Sequence, residues 1–135
     1  MNDLIFEPYA ARLHWRFTQP LIGAEWGALF AEYVEALARC SAQLAPIVVG
    51  HIKGIAIAPS GGYVRVNLTR SSAPADVEST LPDRRADLSL DLNVLIYGLP
   101  FDEINVVAQE TAAQVAAARD GCVHIELIHT EHSPS

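Results

Sequence analysis

Alternation of apolar and polar residues is sharpest over residues 86–97. There Leu88, Leu90, Leu92, Val94 and Ile96 fall on one side, and Asp87, Ser89, Asp91 and Asn93 on the other. A period of two is the mark of a half-buried strand. Residues 12–18 repeat it, with Leu13, Trp15 and Phe17 opposite Arg12, His14, Arg16 and Thr18. Residues 122–129 do so again, with Val123, Ile125 and Leu127 opposite His124 and Glu126. Two stretches carry helical spacing instead. In residues 22–44 the apolar positions are Trp26, Leu29, Phe30, Val34 (or Tyr33) and Leu37, with acidic residues early and Arg39 late, as the helix dipole prefers. The second helix is expected from an N-cap at Asp102 to about residue 119, burying Ile104, Val107, Ala108, Thr111, Ala112 and Val115. Pro20 and Pro46 bound the first helix, and Asp120-Gly121 closes the second, with Gly in the usual C-terminal place.

Residues 47–69, IVVGHIKGIAIAPSGGYVRVNLT, read as a hairpin turned at Pro59-Ser60-Gly61-Gly62. A loop of two or of four residues gives one and the same pairing, in which Ile55 faces Val66, Ile57 faces Val64, Lys53 faces Leu68 and His51 faces Arg70. That side is mostly apolar and is expected to face the core. The opposite side, with Gly54, Ala56, Arg65 and Asn67, is small and polar and is expected to be a docking or dimer interface.

Residues 71–85, SSAPADVESTLPDRR, carry turn residues and no clear period, and read as a long loop. The resulting order is β-α-β-β-β-α-β. Its simplest packing is an α+β, ferredoxin-like two-layer sandwich: a mostly antiparallel sheet with both helices on one face, in a single domain over residues 1–135. The uncovered face would carry His14, Arg16, Arg65, Asn67, Asp87, Asp91, His124 and Glu126.

Composition narrows the class. Half of the 135 residues are hydrophobic and 19% are charged, which is globular composition. A net charge of −7 and the lack of any basic run argue against nucleic acid as a partner. No run reaches the ~18 apolar residues of a membrane span. Cys40 and Cys122 form no CxxC pair, and the first residues lack a basic, apolar leader. A cytoplasmic protein is expected.

Certain residues carry a likeness. Phe17, Pro20, a Trp/Leu/Phe helix and Lys53-Gly54 opening a hairpin form its first block. Arg84-Arg85, a strand ending Leu95-Ile96-Tyr97-Gly98-Leu99 and a following helix form its second. Together they resemble the C-terminal domain of CobW-type GTPases, which are metal- and cobalamin-linked P-loop proteins. The chain has no GxxxxGK[ST] loop and none of the family's Cys-x-Cys-Cys metal motif. The resemblance therefore implies the accessory domain without GTP hydrolysis, serving recognition of a GTPase or metallochaperone partner, or assembly into a homo-oligomer.

Reactive chemistry has few candidates. His51, Lys53 and Arg70 fall near one end of the hairpin and would make a polar ligand pocket. His124, His129 and His132 gather near the C-terminus, where a divalent metal is the conceivable cofactor, although their spacing is no known zinc signature. Ser60-Gly61 is a turn and not a nucleophile elbow, and Asp87 and Asp91 are expected to be solvated strand residues. Two readings stand: an accessory or assembly domain without catalysis, and a small-ligand or metal-binding protein.

Overall fold

A computed structural model describes residues 6–128. The elements are β1 (Tyr9–Leu21), α1 (Gly23–Leu44), β2 (Val48–Ile57), β3 (Tyr63–Leu68), β4 (Asp76–Ser79), β5 (Arg85–Tyr97), α2 (Phe101–Ala117) and β6 (Gly121–Leu127). The strands form one sheet in the order β4-β3-β2-β5-β1-β6, antiparallel at every step. Both helices pack on one side, so the molecule is a two-layer α+β sandwich. The core lies between, built on Leu13, Trp15, Leu90 and Leu92 from the sheet and Trp26, Phe30 and Tyr33 from α1.

Element order departs from the expected one because residues 71–85 are not a bare loop. They contain β4, which pairs with β3 as Val66 opposite Val77 and Asn67 opposite Asp76. Four residues framed by Ser and Pro are too short to show a period, so the alternation of Asp76 and Glu78 against Val77 and Ser79 carries no strand signal by itself.

Local signals account for most boundaries. β1 runs on past Pro20, with its pairing to β5 shifting register after Arg16, which is how a strand tolerates a proline. Glu25 reaches back to the Ile22 N–H at 2.9 Å and closes the first turn of α1. The cap of α2 is not Asp102. Pro100 occupies that position without a side-chain cap, and the Phe101 N–H donates to Glu7 Oε1 at 2.5 Å. The six positions the spacing marks on α2 are buried, and Ala116 joins them as a seventh. At its end the left-handed residue is Asp120 (φ 58°), and Gly121 already belongs to β6.

The β2–β3 hairpin is where the sequence misleads. Its register is Ile52 with Leu68, Gly54 with Val66 and Ala56 with Val64, one residue away from the expected pairing. The turn explains the slip. Ala58 and Gly62 close a three-residue loop, with the Ala58 N–H on the Gly62 carbonyl at 3.0 Å, and Gly61 and Gly62 both take positive φ. An odd-length loop with a left-handed glycine is a standard hairpin form, and one residue of slip exchanges the faces. Ile52, Gly54, Ala56 and Ala58 are therefore core, while Lys53, Ile55 and Ile57 point to the open face.

Gly27 of α1 sits over β4, and a Cβ there would lie 2.7 Å from Val77 Cγ1. Helix and edge strand thus touch through a missing side chain. Gly27→Leu is expected to lift β4 from the sheet, costing about 1–3 kcal/mol by overpacking. Amide exchange checks it: protection should fall across Asp76–Ser79 and hold in β5.

Candidate functional site

The uncovered face of the sheet is the candidate site. Its side chains are set by the registers, which align residues in rows across the strands. One row reads Glu78, Arg65, Ile55, Asp91, Arg12, Glu126 from β4 to β6. Its neighbour reads Asp76, Asn67, Lys53, Asn93. On the other flank Ser89, His14 and His124 align on β5, β1 and β6.

Most charges in these rows satisfy one another. Arg12 Nε donates to Asp91 at 2.6 Å, Arg65 pairs with Glu78, and Arg16 lies 3.9 Å from Asp87. His14 joins Ser89 Oγ (2.7 Å, Nδ1) to Glu126 Oε1 (3.0 Å, Nε2), and that hydrogen bond holds the Glu126 carboxyl below its usual range. A hydroxyl, an imidazole and a carboxylate in a row can serve as a nucleophile relay. Here all three stand open to water on a strand face, without the walls that exclude solvent from such chemistry. Tyr63 donates to Glu78 at 2.9 Å. Among the described residues, Lys53 and Asp76 have no ion-pair partner, and Asn67 Oδ1 is buried without a hydrogen bond.

The face is hollowed. A cleft of about 680 Å³ opens over β4, β3, β2 and β5, walled by Arg65, Asp76, Glu78 and Asp91 with Lys53 and Ile55 in its floor. A second hollow of about 450 Å³ continues toward β6 and adds His51, Leu95 and Phe101. Lys53 and Asn93 border both, so the two make one continuous depression. Ile55 and Ile57 stand in or beside it, 37% and 69% exposed.

Sequence-expected site residues are distributed differently from the expectation. His51 and Lys53 do come together, two residues apart on β2, but on the open face and not the core side. Partial burial, then the Lys53 charge, lowers the His51 pKa. Arg70 lies beyond the end of β3 and lines neither hollow. The expected interface set divides: Arg65 and Asn67 face the cleft, whereas Gly54 and Ala56 are buried, and of these two Gly54 alone borders the cleft. His124 lies on the open face stacked at 6.0 Å on His14. His129 and His132 lie outside the described residues, and among the described ones no three metal-ligating side chains converge. Asp76 and Glu78 were missed with their strand. Among the described residues no helix is long and apolar enough to cross a membrane.

Compared with known proteins, the chain matches no family model, no curated protein and no solved structure.

Proposed function

We propose that this chain is a non-catalytic docking domain of the cytoplasm. In this reading β6-β1-β5-β2 with the two helices form a ferredoxin-like unit, which the β3–β4 hairpin widens. The widened open face receives a protein partner. The observation that carries the reading is the exposure of Ile55 in the floor of the cleft and of Ile57 beside it, where three of the wall residues, Arg65, Glu78 and Asp91, are already held in ion pairs. Paired charges leave few groups free to act as acid, base or nucleophile, while exposed isoleucines gain from being covered. The resemblance to the accessory domain of CobW-type GTPases names the partner class, a P-loop GTPase domain acting in trans.

Titrating this chain with the GTPase domain of a CobW-type protein from the same genome, by calorimetry with and without GTP, tests it. Wild type should bind. Ile57→Asp should weaken binding at least tenfold without changing the melting temperature, since that side chain is largely exposed. No binding by wild type, or full binding by Ile57→Asp, overturns the reading.

One observation favours a second reading, a small anionic ligand. His51 and Lys53 share the smaller hollow, and the Lys53 ammonium has no carboxylate partner among the described residues.

A further inference from the structure

The outer strand β6 ends the sheet, and no strand lies beyond it among the described residues. The direction of its backbone groups follows from its inner ladder. The Ile128 N–H donates to the Ala10 carbonyl at 3.0 Å, and the Thr18 N–H to the Asp120 carbonyl at 3.4 Å. Both contacts fall on the pairing that sets Arg12 opposite Glu126 and His14 opposite His124. The even-numbered residues therefore bond to β1, and Gly121, Val123, Ile125 and Leu127 turn N–H and C=O away from the sheet. This free edge holds no Pro or Lys, the residues that commonly blunt edges.

Side chains alternate on the same strand. Val123, Ile125 and Leu127 lie on the helix side, half-covered or exposed, and His124 and Glu126 on the open side. Laid antiparallel against a second copy of itself, the strand must match outward residues with outward residues. Three two-fold registers near its centre satisfy this. Centring on Glu126 opposes Glu126 to itself. Centring on His124 opposes His124 to itself and leaves Glu126 against Cys122. Centring on Ile125 sets His124 opposite Glu126 twice, Val123 opposite Leu127 twice, and Ile125 opposite Ile125. That register alone sets imidazole against carboxylate on the open face and apolar against apolar on the helix face, and cross-strand pairs of these kinds stabilise a ladder.

We infer that β6 is a self-pairing edge: a second copy of this chain adds to it antiparallel, about a two-fold at Ile125, and joins two six-stranded sheets into one of twelve strands. The three outward residues Val123, Ile125 and Leu127 would exchange about six main-chain hydrogen bonds with their counterparts. The helix side of the joint is closed by Val123, Ile125 and Leu127 from both copies. On the open side His124 of each meets a Glu126 that also holds His14 of its own chain. The joint uses the sheet edge and leaves the open-face cleft free, so it stands or falls apart from the docking reading.

Cross-linking of the full chain tests both the assembly and its register. Light scattering at about 100 µM should give about twice the 14.6 kDa of one chain. With Cys40 and Cys122 replaced by Ser, Ile125→Cys should oxidise to a covalent dimer, since directly opposed residues in a hydrogen-bonded pair lie about 5.5 Å apart at Cα, within disulfide reach. His124→Cys alone should cross-link at least tenfold more slowly, and a mixture of His124→Cys and Glu126→Cys chains should cross-link as readily as Ile125→Cys. Ile125→Pro removes an outward N–H and no inner one, and should give a folded monomer. A monomeric wild type, a dimer that Ile125→Cys does not capture, or faster capture by His124→Cys overturns the inference.

Discussion

Trp26→Ala is expected to lower the free energy of unfolding by about 3–5 kcal/mol, the range for emptying a buried tryptophan site. Trp26 is fully buried, packed edge-on to Phe17 at 5.3 Å between ring centres and against Phe30 at 5.6 Å. Its Nε1 donates to the Arg85 carbonyl at 3.1 Å, where the chain leaves the β4–β5 connection and enters β5. The side chain thus fills the core and pins the entry of a central strand to α1. Against a typical total of about 5–15 kcal/mol, the loss is a large fraction of stability. A phenylalanine series separates the two roles. Trp26→Phe keeps most of the packing and removes the hydrogen bond to the half-buried Arg85 carbonyl, at a cost of about 0.5–1.5 kcal/mol. Trp15 is as deeply buried, but its Nε1 has no partner among the described residues, so Trp15→Phe removes a desolvated donor and should cost less. Urea midpoints followed by far-UV circular dichroism give the comparison. Equal midpoints for the two Phe variants would show that the bond to Arg85 contributes nothing.

The parts of this fold that the sequence reveals are those where one face of an element is wholly buried. β5 alternates from Asp87 to Tyr97 and α2 buries the six positions that its spacing marks, because each lies between solvent on one side and a continuous core on the other. The hairpin fails by a different physics. Its two faces are nearly balanced in hydrophobicity, Ile55 and Ile57 on one and Ile52, Ala56 and Ala58 on the other, so the pattern does not choose between them. The choice falls to the turn, where two adjacent left-handed glycines favour an odd loop. The turn therefore sets which face of β2 is buried, and that face is the opposite of the one the expected pairing buries, while β3 faces as expected.

That single slip governs what could be read of the site. The open-face residues of β1, β5 and β6 were legible, since each lies on a strand with an unambiguous core side. The expected register puts Lys53, Ile55 and Ile57 on the core side, and so conceals the exposed apolar floor of the cleft. Gly54 and Ala56, read as a small docking surface, are instead the reason the sheet packs closely there: a Cβ on Gly54 would lie 2.7 Å from Leu90 Cδ1. The pairing of Arg12, Arg65 and His14 with acids on neighbouring strands depends on which strands adjoin. The sheet order, not the local sequence, brings those charges together.

Sheet and helix together also dictate the alkaline limit of stability, which should be steep. Tyr33 is fully buried with its hydroxyl donating to the Ala108 carbonyl at 3.0 Å, and Tyr9 is buried with its hydroxyl donating to Asn105 Oδ1 at 2.7 Å. Burial pushes Tyr9 up to about 12. Burial, then the neighbouring Tyr9, pushes Tyr33 well above the usual value. Each hydroxyl serves an acceptor that a phenolate cannot serve, which agrees with the direction. An unfolded tyrosine titrates near pH 10. Below that pH both states are protonated and the contribution of these groups is whole. Above it the unfolded chain releases protons that the folded chain keeps, so stability falls as pH rises, by about 1.4 kcal/mol per pH unit for each tyrosine. Two such groups cost about 5 kcal/mol between pH 10 and pH 12 on this arithmetic, comparable to the whole stability of many domains. Urea midpoints measured from pH 8 to pH 12 should stay level to about pH 10 and then drop. Tyr33→Phe should be less stable at neutral pH and should roughly halve the slope above pH 10. Absorbance at 295 nm gives the independent check: of the four tyrosines, two should ionise only as the chain unfolds. Full tyrosinate absorbance in a chain that still shows native circular dichroism would mean that Tyr9 and Tyr33 reach water, and the account of the core around them would be wrong.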